Sequence, residues 1–234
     1  MDKAASTQLS IDSLGVYRVL IVMKNVRREA VIWINLATVV VTWVILIFLS
    51  TRELQISWEA VKLLPEVVTV YTVLYLIFVT WIWRLPIVQG WLVTFPDLQG
   101  TWQGTLSTTW QHPDTDKTAL PIPIVLVIKQ SFDSISCVLY TQESISYSNA
   151  ALLSEEEESG LKKLSYVFTN TPELNARGRS PIHDGAAILR IISTPKRSLK
   201  GEYWTNRKTT GEIELTFRSR KLLENFPDDL TSTA

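Results

Sequence analysis

The residues most able to do chemistry lie between Leu199 and Arg218, in the stretch LKGEYWTNRKTTGEIELTFR, which reads as a β-hairpin turning at Thr209-Thr210-Gly211. Side chains two apart on a strand share a face. Gly201, Tyr203, Thr205 and Arg207 therefore lie on one side and Glu202, Trp204, Asn206 and Lys208 on the other, and neither side is simply apolar. An aromatic ring, a hydroxyl and a guanidinium in line can stack a base, bond a ribose and grip a phosphate, because the arginine fork matches phosphate geometry and aromatic faces accept any base. The alternative is that Arg207 and Lys208 are solvated turn residues and that Tyr203 or Trp204 belongs to the core, as most strand aromatics do. The second strand is ordinary by comparison: Ile213, Leu215 and Phe217 face one way and Glu212, Glu214, Thr216 and Arg218 the other.

Other chemistries are poorly served. The sequence contains no G-x-S-x-G, H-E-x-x-H or G-x-x-x-x-G-K motif, so no enzymatic activity and no catalytic residue are expected. One cysteine, Cys137, and two histidines, His112 and His183, are too few for a disulfide framework or a metal site, and no cofactor is expected. The 234 residues balance 23 Lys+Arg against 23 Asp+Glu, without the basic excess that binds a nucleic acid polymer. His183, in Ser180-Pro-Ile-His-Asp-Gly185, reads either as a residue at the mouth of a site or as a turn histidine. The acidic run Glu155 to Glu158 reads as a solvated loop tip.

The elements that must position the hairpin divide the chain into two solvents. Ala30 to Thr51 carries no charge, and about 20 apolar residues suffice for a helix to cross a bilayer core. Val67 to Trp83 is a second uncharged run, extendable through Leu63 and Leu64 or past Arg84, whose side chain can snorkel. Neither run shows a polar face, as a buried helix of a soluble protein would. The first begins too far into the chain and is too long for a cleaved signal peptide. Arg18, Lys24, Arg27 and Arg28 before the first run, and Arg84 after the second, favour cytoplasmic N and C termini, with Trp33, Trp58, Trp81 and Trp83 near the headgroups. Residues 11 to 26 are a weaker candidate for an interfacial helix.

Inside the spans, Asn35, Thr38 and Thr42 share a helical face, as do Thr69, Thr72 and Thr80, and such groups can join helices into assemblies. The simpler reading for the threonines is that each hydroxyl bonds its own backbone. With no acid or base in either span, a two-helix monomer holds no proton relay or ion site, so membrane action requires self-association.

From Asp97 onward the pattern has a period of two. Strands are expected at about Leu98 to Trp110, Ile122 to Gln130, Ser134 to Thr141, Ser144 to Leu153, Leu161 to Asn170, Ala186 to Ser193, Lys200 to Arg207 and Gly211 to Arg218. His112-Pro113-Asp114, Phe132-Asp133, Ser159-Gly160 and Asp184-Gly185 supply the intervening turns. Eight consecutive short strands make a meander, and closing it removes two exposed edges. The expected fold is thus a membrane-anchored all-β protein, two N-terminal transmembrane α-helices followed by an eight-stranded antiparallel, lipocalin-like β-barrel; a sandwich is the alternative. In Gly100-x-Trp102-x-Gly104, similar to the opening of lipocalin-like barrels, the indole fills a closed end and the glycines let the strand bend around it.

Two spans and a barrel opening with Leu98-Gln-Gly-Thr-Trp-Gln-Gly and closing with Gly201-Glu-Tyr-Trp-Thr-Asn-Arg-Lys-Thr-Thr-Gly211 resemble the two-transmembrane β-barrel effectors of bacterial CBASS anti-phage immunity, the proteins associated with CD-NTases. The resemblance covers nearly the whole chain. It implies a receptor for a cyclic dinucleotide made by a partner nucleotidyltransferase, with ligand-driven oligomers that disrupt the bacterial inner membrane and kill the infected cell. Carried onto this sequence, it puts Tyr203, Thr205 and Arg207 on base, ribose and phosphate, with Trp102, Lys208, Thr209 and Arg190 as secondary candidates. The corresponding divisions are a cytoplasmic N-terminal segment (1–29), two transmembrane helices at about 30–51 and 63–85 within 30–96, a barrel sensor (97–220) and a C-terminal tail (221–234). A membrane-anchored lipocalin-like carrier of a small apolar ligand, favoured by Trp102 and the apolar run Ile122 to Ile128, and an inert anchor with a filled barrel remain as alternatives.

Overall fold

The computed structural model describes residues 28–51, 58–109, 120–156 and 158–233. The interfacial-helix expectation for residues 11 to 26, the basic residues Arg18, Lys24 and Arg27, and the turn His112-Pro113-Asp114 lie outside them. Two compact units result: Met1–Pro96 with Ser131–Asp133, and Asp97–Gln130 with Ser134–Ala234.

The first unit holds α1 (Arg28–Thr51), α2 (Trp58–Lys62) and α3 (Leu64–Thr80), followed by a 3₁₀ turn, Ile82–Arg84. Ile32–Ser50 and Ala60–Arg84 are long and apolar enough to span a membrane, and most of their large side chains are exposed. The second segment breaks at Leu63, because Pro65 in the first turn of α3 has no amide hydrogen to continue the helix. Thr69, Thr72 and Thr80 each donate to the carbonyl four residues back, Pro65, Val68 and Leu76 at 2.9, 2.7 and 2.6 Å, so the simpler reading describes these hydroxyls. Asn35 differs: its Oδ1 accepts from the Tyr71 hydroxyl of α3 at 3.1 Å, while Thr38 is half-buried and Thr42 buried. Trp43 Nε1 donates to the Ala60 carbonyl at 2.8 Å. Trp83, Val88, Leu92, Val93 and Phe132 form the core of this unit.

The second unit is a closed antiparallel barrel of eight strands in sequence order: β1 (Gly100–Thr108), β2 (Ile122–Gln130), β3 (Ile135–Tyr140), β4 (Ser144–Glu155), β5 (Lys162–Pro172), β6 (His183–Ile192), β7 (Ser198–Thr205) and β8 (Thr210–Ser219). β8 returns to β1, pairing Trp102 with Phe217 and Leu106 with Ile213. The closed end is built as the alternation on β1 implies. Trp102 is buried, donates Nε1 to the Leu98 carbonyl at 2.9 Å and meets Phe217 edge-on at 5.2 Å. Arg197 lies over both rings, 4.4 Å from the Phe217 centroid, and donates to the Asp97 carbonyl at 2.6 Å. At Gly104 a Cβ would stand 1.8 Å from the Glu214 carbonyl oxygen, so only glycine lets β1 and β8 close here.

Two expected turns move. Asp184-Gly185 lies inside β6, which begins at His183. The β7–β8 turn is centred on Asn206–Thr209 rather than Thr209-Thr210-Gly211: Thr205 Oγ1 accepts from the Arg207 amide at 3.2 Å, its own amide donates to the Thr209 carbonyl at 3.0 Å, and Lys208 takes φ 62°. Gly211 is a strand residue. Its missing side chain leaves room for the Ser107 carbonyl and the Tyr203 ring, which a Cβ would meet at 2.0 and 2.6 Å.

Candidate functional site at the open end of the barrel

Opposite the Trp102 plug the barrel opens into a cavity of about 280 Å³. The inward alternation of β7 carries Tyr203 and Thr205 into it, and the turn that follows adds Arg207 and Thr209. Burial sets the chemistry of each. Tyr203 is buried and bonded to Thr108; loss of solvent pushes its phenol above the ordinary value, partly offset by that bond, so the ring stays neutral. Thr205 is buried, and its hydroxyl shares a 2.7 Å hydrogen bond with that of Thr209. Arg207 is half-buried at the rim and donates Nη1 to Ser180 Oγ at 2.9 Å. A neutral hydroxyl holds the guanidinium without cancelling its charge. The other lining cation, Arg179, is paired with Glu143, the one carboxylate among the described lining residues. Among the described lining residues, Arg207 is thus the guanidinium without a carboxylate partner.

The remaining candidates lie elsewhere. Trp102 belongs to the closed end. Lys208 is exposed, takes φ 62° in the turn and is not among the residues that line the cavity. Arg190 is exposed on the outer face of β6, in a shallow depression with Lys163, Lys200 and Glu202, because inward positions on that strand alternate through Ala187 and Leu189. His183 lines the cavity, with Nδ1 2.9 Å from the Pro181 carbonyl oxygen.

Sequence reasoning passed over the part of the cavity wall built by β4 and β5. On β5 the inward face runs Leu164, Tyr166, Phe168, Asn170, with the two rings 5.9 Å apart and tilted by 48°. Asn170 pairs with Ser146 of β4, and Ser146 Oγ donates to Asn170 Oδ1 at 2.8 Å. The period-two spacing of these residues was the available signal. Burial raises the Tyr166 phenol, with a smaller contribution of the same sign from Cys137, whose thiol burial pushes up to about 12. A wall of rings ending in an amide, two neutral phenols and a guanidinium held by a neutral hydroxyl suit a ligand with an aromatic base, hydroxyls and a phosphate.

Residues 93–217 match the model of a family described as "Cap15, cyclic dinucleotide receptor domain". The chain is also similar to the CD-NTase-associated protein 15 of Escherichia albertii, 29% identical over 181 residues that cover 74% of this chain and 88% of that protein. A second relative, the CD-NTase-associated protein 15 of Staphylococcus schleiferi, is 26% identical over 176 residues, 75% of this chain and 89% of its own length.

Proposed function

Because the chain belongs to the CBASS effector family that carries the Cap15 cyclic dinucleotide receptor domain, we propose that the open end of its barrel binds a cyclic dinucleotide supplied by a partner CD-NTase and that binding drives assembly and disruption of the inner membrane. The observation that carries the reading is Arg207, a guanidinium held by the neutral Ser180 hydroxyl, with no carboxylate partner among the described residues, at the rim of a cavity that also contains Tyr203 and Thr205. Tyr203 takes the base, Thr205 the ribose and Arg207 a phosphate, through the paired donors of its fork. At about 280 Å³ the cavity falls just below the range of roughly 300–1,000 Å³ common to small-molecule sites, room for one nucleoside. The second half of the ligand then stands at the mouth, where another barrel can reach it.

That geometry supports coupling to assembly. Ligand shifts an equilibrium only by its differential affinity for the two states, and a half-exposed ligand gains contacts in the paired form alone. Paired barrels bring α1 and α3 of neighbouring chains together, with Asn35, Thr38 and Thr42 as the groups that join them. The spans lie in the bacterial inner membrane with both termini cytoplasmic, in keeping with Arg84 beyond the second. The apolar part of the lining, with Leu106, Ile122, Leu139 and Ile213, favours a second reading as a carrier of a small apolar ligand.

The test reconstitutes the full chain in dye-loaded vesicles and adds a panel of cyclic dinucleotides and fatty-acid probes. The expected result is dye release with a cyclic dinucleotide, shifted to higher ligand concentration in Arg207→Ala. Binding of fatty acid with no response to any nucleotide would establish the carrier instead.

A further inference from the structure

We infer that the outer face of β5–β8 is a second contact surface in the assembly proposed above, and that what covers it is the same face of another copy of this chain. The inference rests on that assembly reading. The register sets Ile188, Glu202 and Glu212 side by side in one outward row, between a row with Lys163, Arg190 and Lys200 and a row with Val167 and Trp204. Most of these residues border an open depression of about 450 Å³. Ile188, Trp204 and Val167 are 41, 44 and 49% exposed, and an apolar cluster with a charged rim marks a contact site.

The charges of this face are incompletely matched within one barrel. Lys200 pairs with Glu214 at 2.9 Å and Lys163 with Glu156 at 3.4 Å. Glu202 and Glu212 are directly opposite each other on β7 and β8, an arrangement of like charges that weakens a sheet, and neither has a cation partner among the described residues. Arg190, one strand over and two positions along from Glu202, has no carboxylate partner among them either. One face therefore carries an arginine that lacks an acceptor and a carboxylate pair that lacks a cation, so it is complementary to itself. A second copy supplies both halves at once, as an isologous contact does.

The spacing admits this contact. Strands stand about 4.8 Å apart and same-face residues about 7 Å apart along each. A two-fold axis lying diagonally in the face, midway between Arg190 and Glu202, sets the arginine of each copy on the carboxylates of the other. Ile188 then falls close to the axis and meets its own counterpart, and Lys163 comes opposite Trp204, a cation over an indole. The strands of the two copies cross steeply, as in orthogonal sheet packing. An isologous contact closes at two copies, so a single such contact at the mouth would stop there, and a second face lets ligand-joined pairs grow. Trp204 lies between Tyr203 and Thr205 in β7, so the strand that holds the ligand also carries this face.

The test adds c-di-AMP, c-di-GMP or 3′,3′-cGAMP to the full chain in detergent micelles and reads nucleotide binding by titration calorimetry and assembly size by light scattering. With a nucleotide that binds, the wild type should grow beyond pairs. Arg190→Glu sets carboxylates against carboxylates and should need about tenfold or more protein to do so, with nucleotide affinity within about twofold of wild type. Glu202→Arg alone should fail likewise, and Arg190→Glu combined with Glu202→Arg should recover, which separates a lost contact from a lost fold. Glu202→Gln should weaken assembly and yet raise the unfolding midpoint of the unassembled protein, because it removes a like-charge pair. In the assembled form Ile188→Cys should join copy to copy through a short bismaleimide, since Cys137 is buried and does not compete. Nucleotide binding without assembly, assembly unmoved by the charge reversals, or no Ile188→Cys cross-link overturns this face and leaves nucleotide binding at the barrel mouth standing. Failure of all three nucleotides to bind the wild type overturns the receptor reading and this inference with it.

Discussion

Replacing Arg207 by alanine isolates the charge on which the receptor reading depends. One of its five N–H donors is used on Ser180, leaving enough of the fork for a two-bonded grip on a phosphate. Hydrogen bonds to a charged group contribute about 1.5–3 kcal/mol, and because Arg207 is half-buried, with water competing for it, the lower part of that range applies. About 1.5–2 kcal/mol corresponds to a Kd weakened roughly 10- to 30-fold. The cost to folding should stay within about 0.5 kcal/mol, since the side chain holds only one neutral hydroxyl at the surface. Calorimetry on the full chain in micelles, at two salt concentrations, separates charge from shape. Wild-type affinity should fall with salt, Arg207→Lys should keep most of that salt dependence but lose affinity with the fork, and Arg207→Ala should lose both. A Kd within twofold of wild type for Arg207→Ala, in a folded protein, would refute the assignment of Arg207 to the phosphate.

Three further outcomes follow from the geometry. Asn35→Leu should abolish ligand-induced toxicity in cells while leaving ligand-induced association intact by cross-linking; unchanged toxicity would remove Asn35 from the output. Trp102→Ala removes the plug that carries the Leu98 hydrogen bond and the Phe217 and Arg197 contacts, and should cost about 3–5 kcal/mol in chemical unfolding, with the order of nucleotide preference unchanged; a loss under about 1 kcal/mol would contradict the closed end as described. Burial raises the folded-state values of Cys137, Tyr166 and Tyr203, so above about pH 9–10 the unfolded chain releases protons that the barrel retains. Unfolded chains then bind fewer protons, stability falls as pH rises, and the urea midpoint should drop between pH 8 and 10.5; a constant midpoint would show these groups are not held as described.

The strands were legible because inward and outward residues alternate, and even β2, apolar from Ile122 to Ile128, was bounded by its flanking residues. What a one-dimensional pattern lacks is which cross-strand neighbour each position meets. Gly211 looked like a turn glycine, yet it is required by the Tyr203 ring and the Ser107 carbonyl, which come from other strands. Arg190 and Arg207 are alike as residue types, and what separates them is the outward strand phase of Arg190 on β6 and the placement of Arg207 in the turn after β7. Asn170 carried the right spacing after Tyr166 and Phe168, but its significance depends on Ser146, 24 positions away in the sequence. The two long apolar helices were the easiest to find, since length without charge is itself the signal.

The seam between β1 and β8 gives the barrel a place in time as well as in space. Seven of its eight strand pairings join neighbours in the sequence, but Thr101 meets Ser219, and the barrel cannot close until that last strand has been synthesised. At 5–20 residues per second, roughly 6–24 s of translation separate β1 from β8. The two apolar helices emerge from the ribosome well before that and are available to the bilayer while the sensor is still an open sheet. The helical unit is therefore complete in sequence before the cavity at the open end of the barrel can exist, because that cavity needs β8 closed against β1.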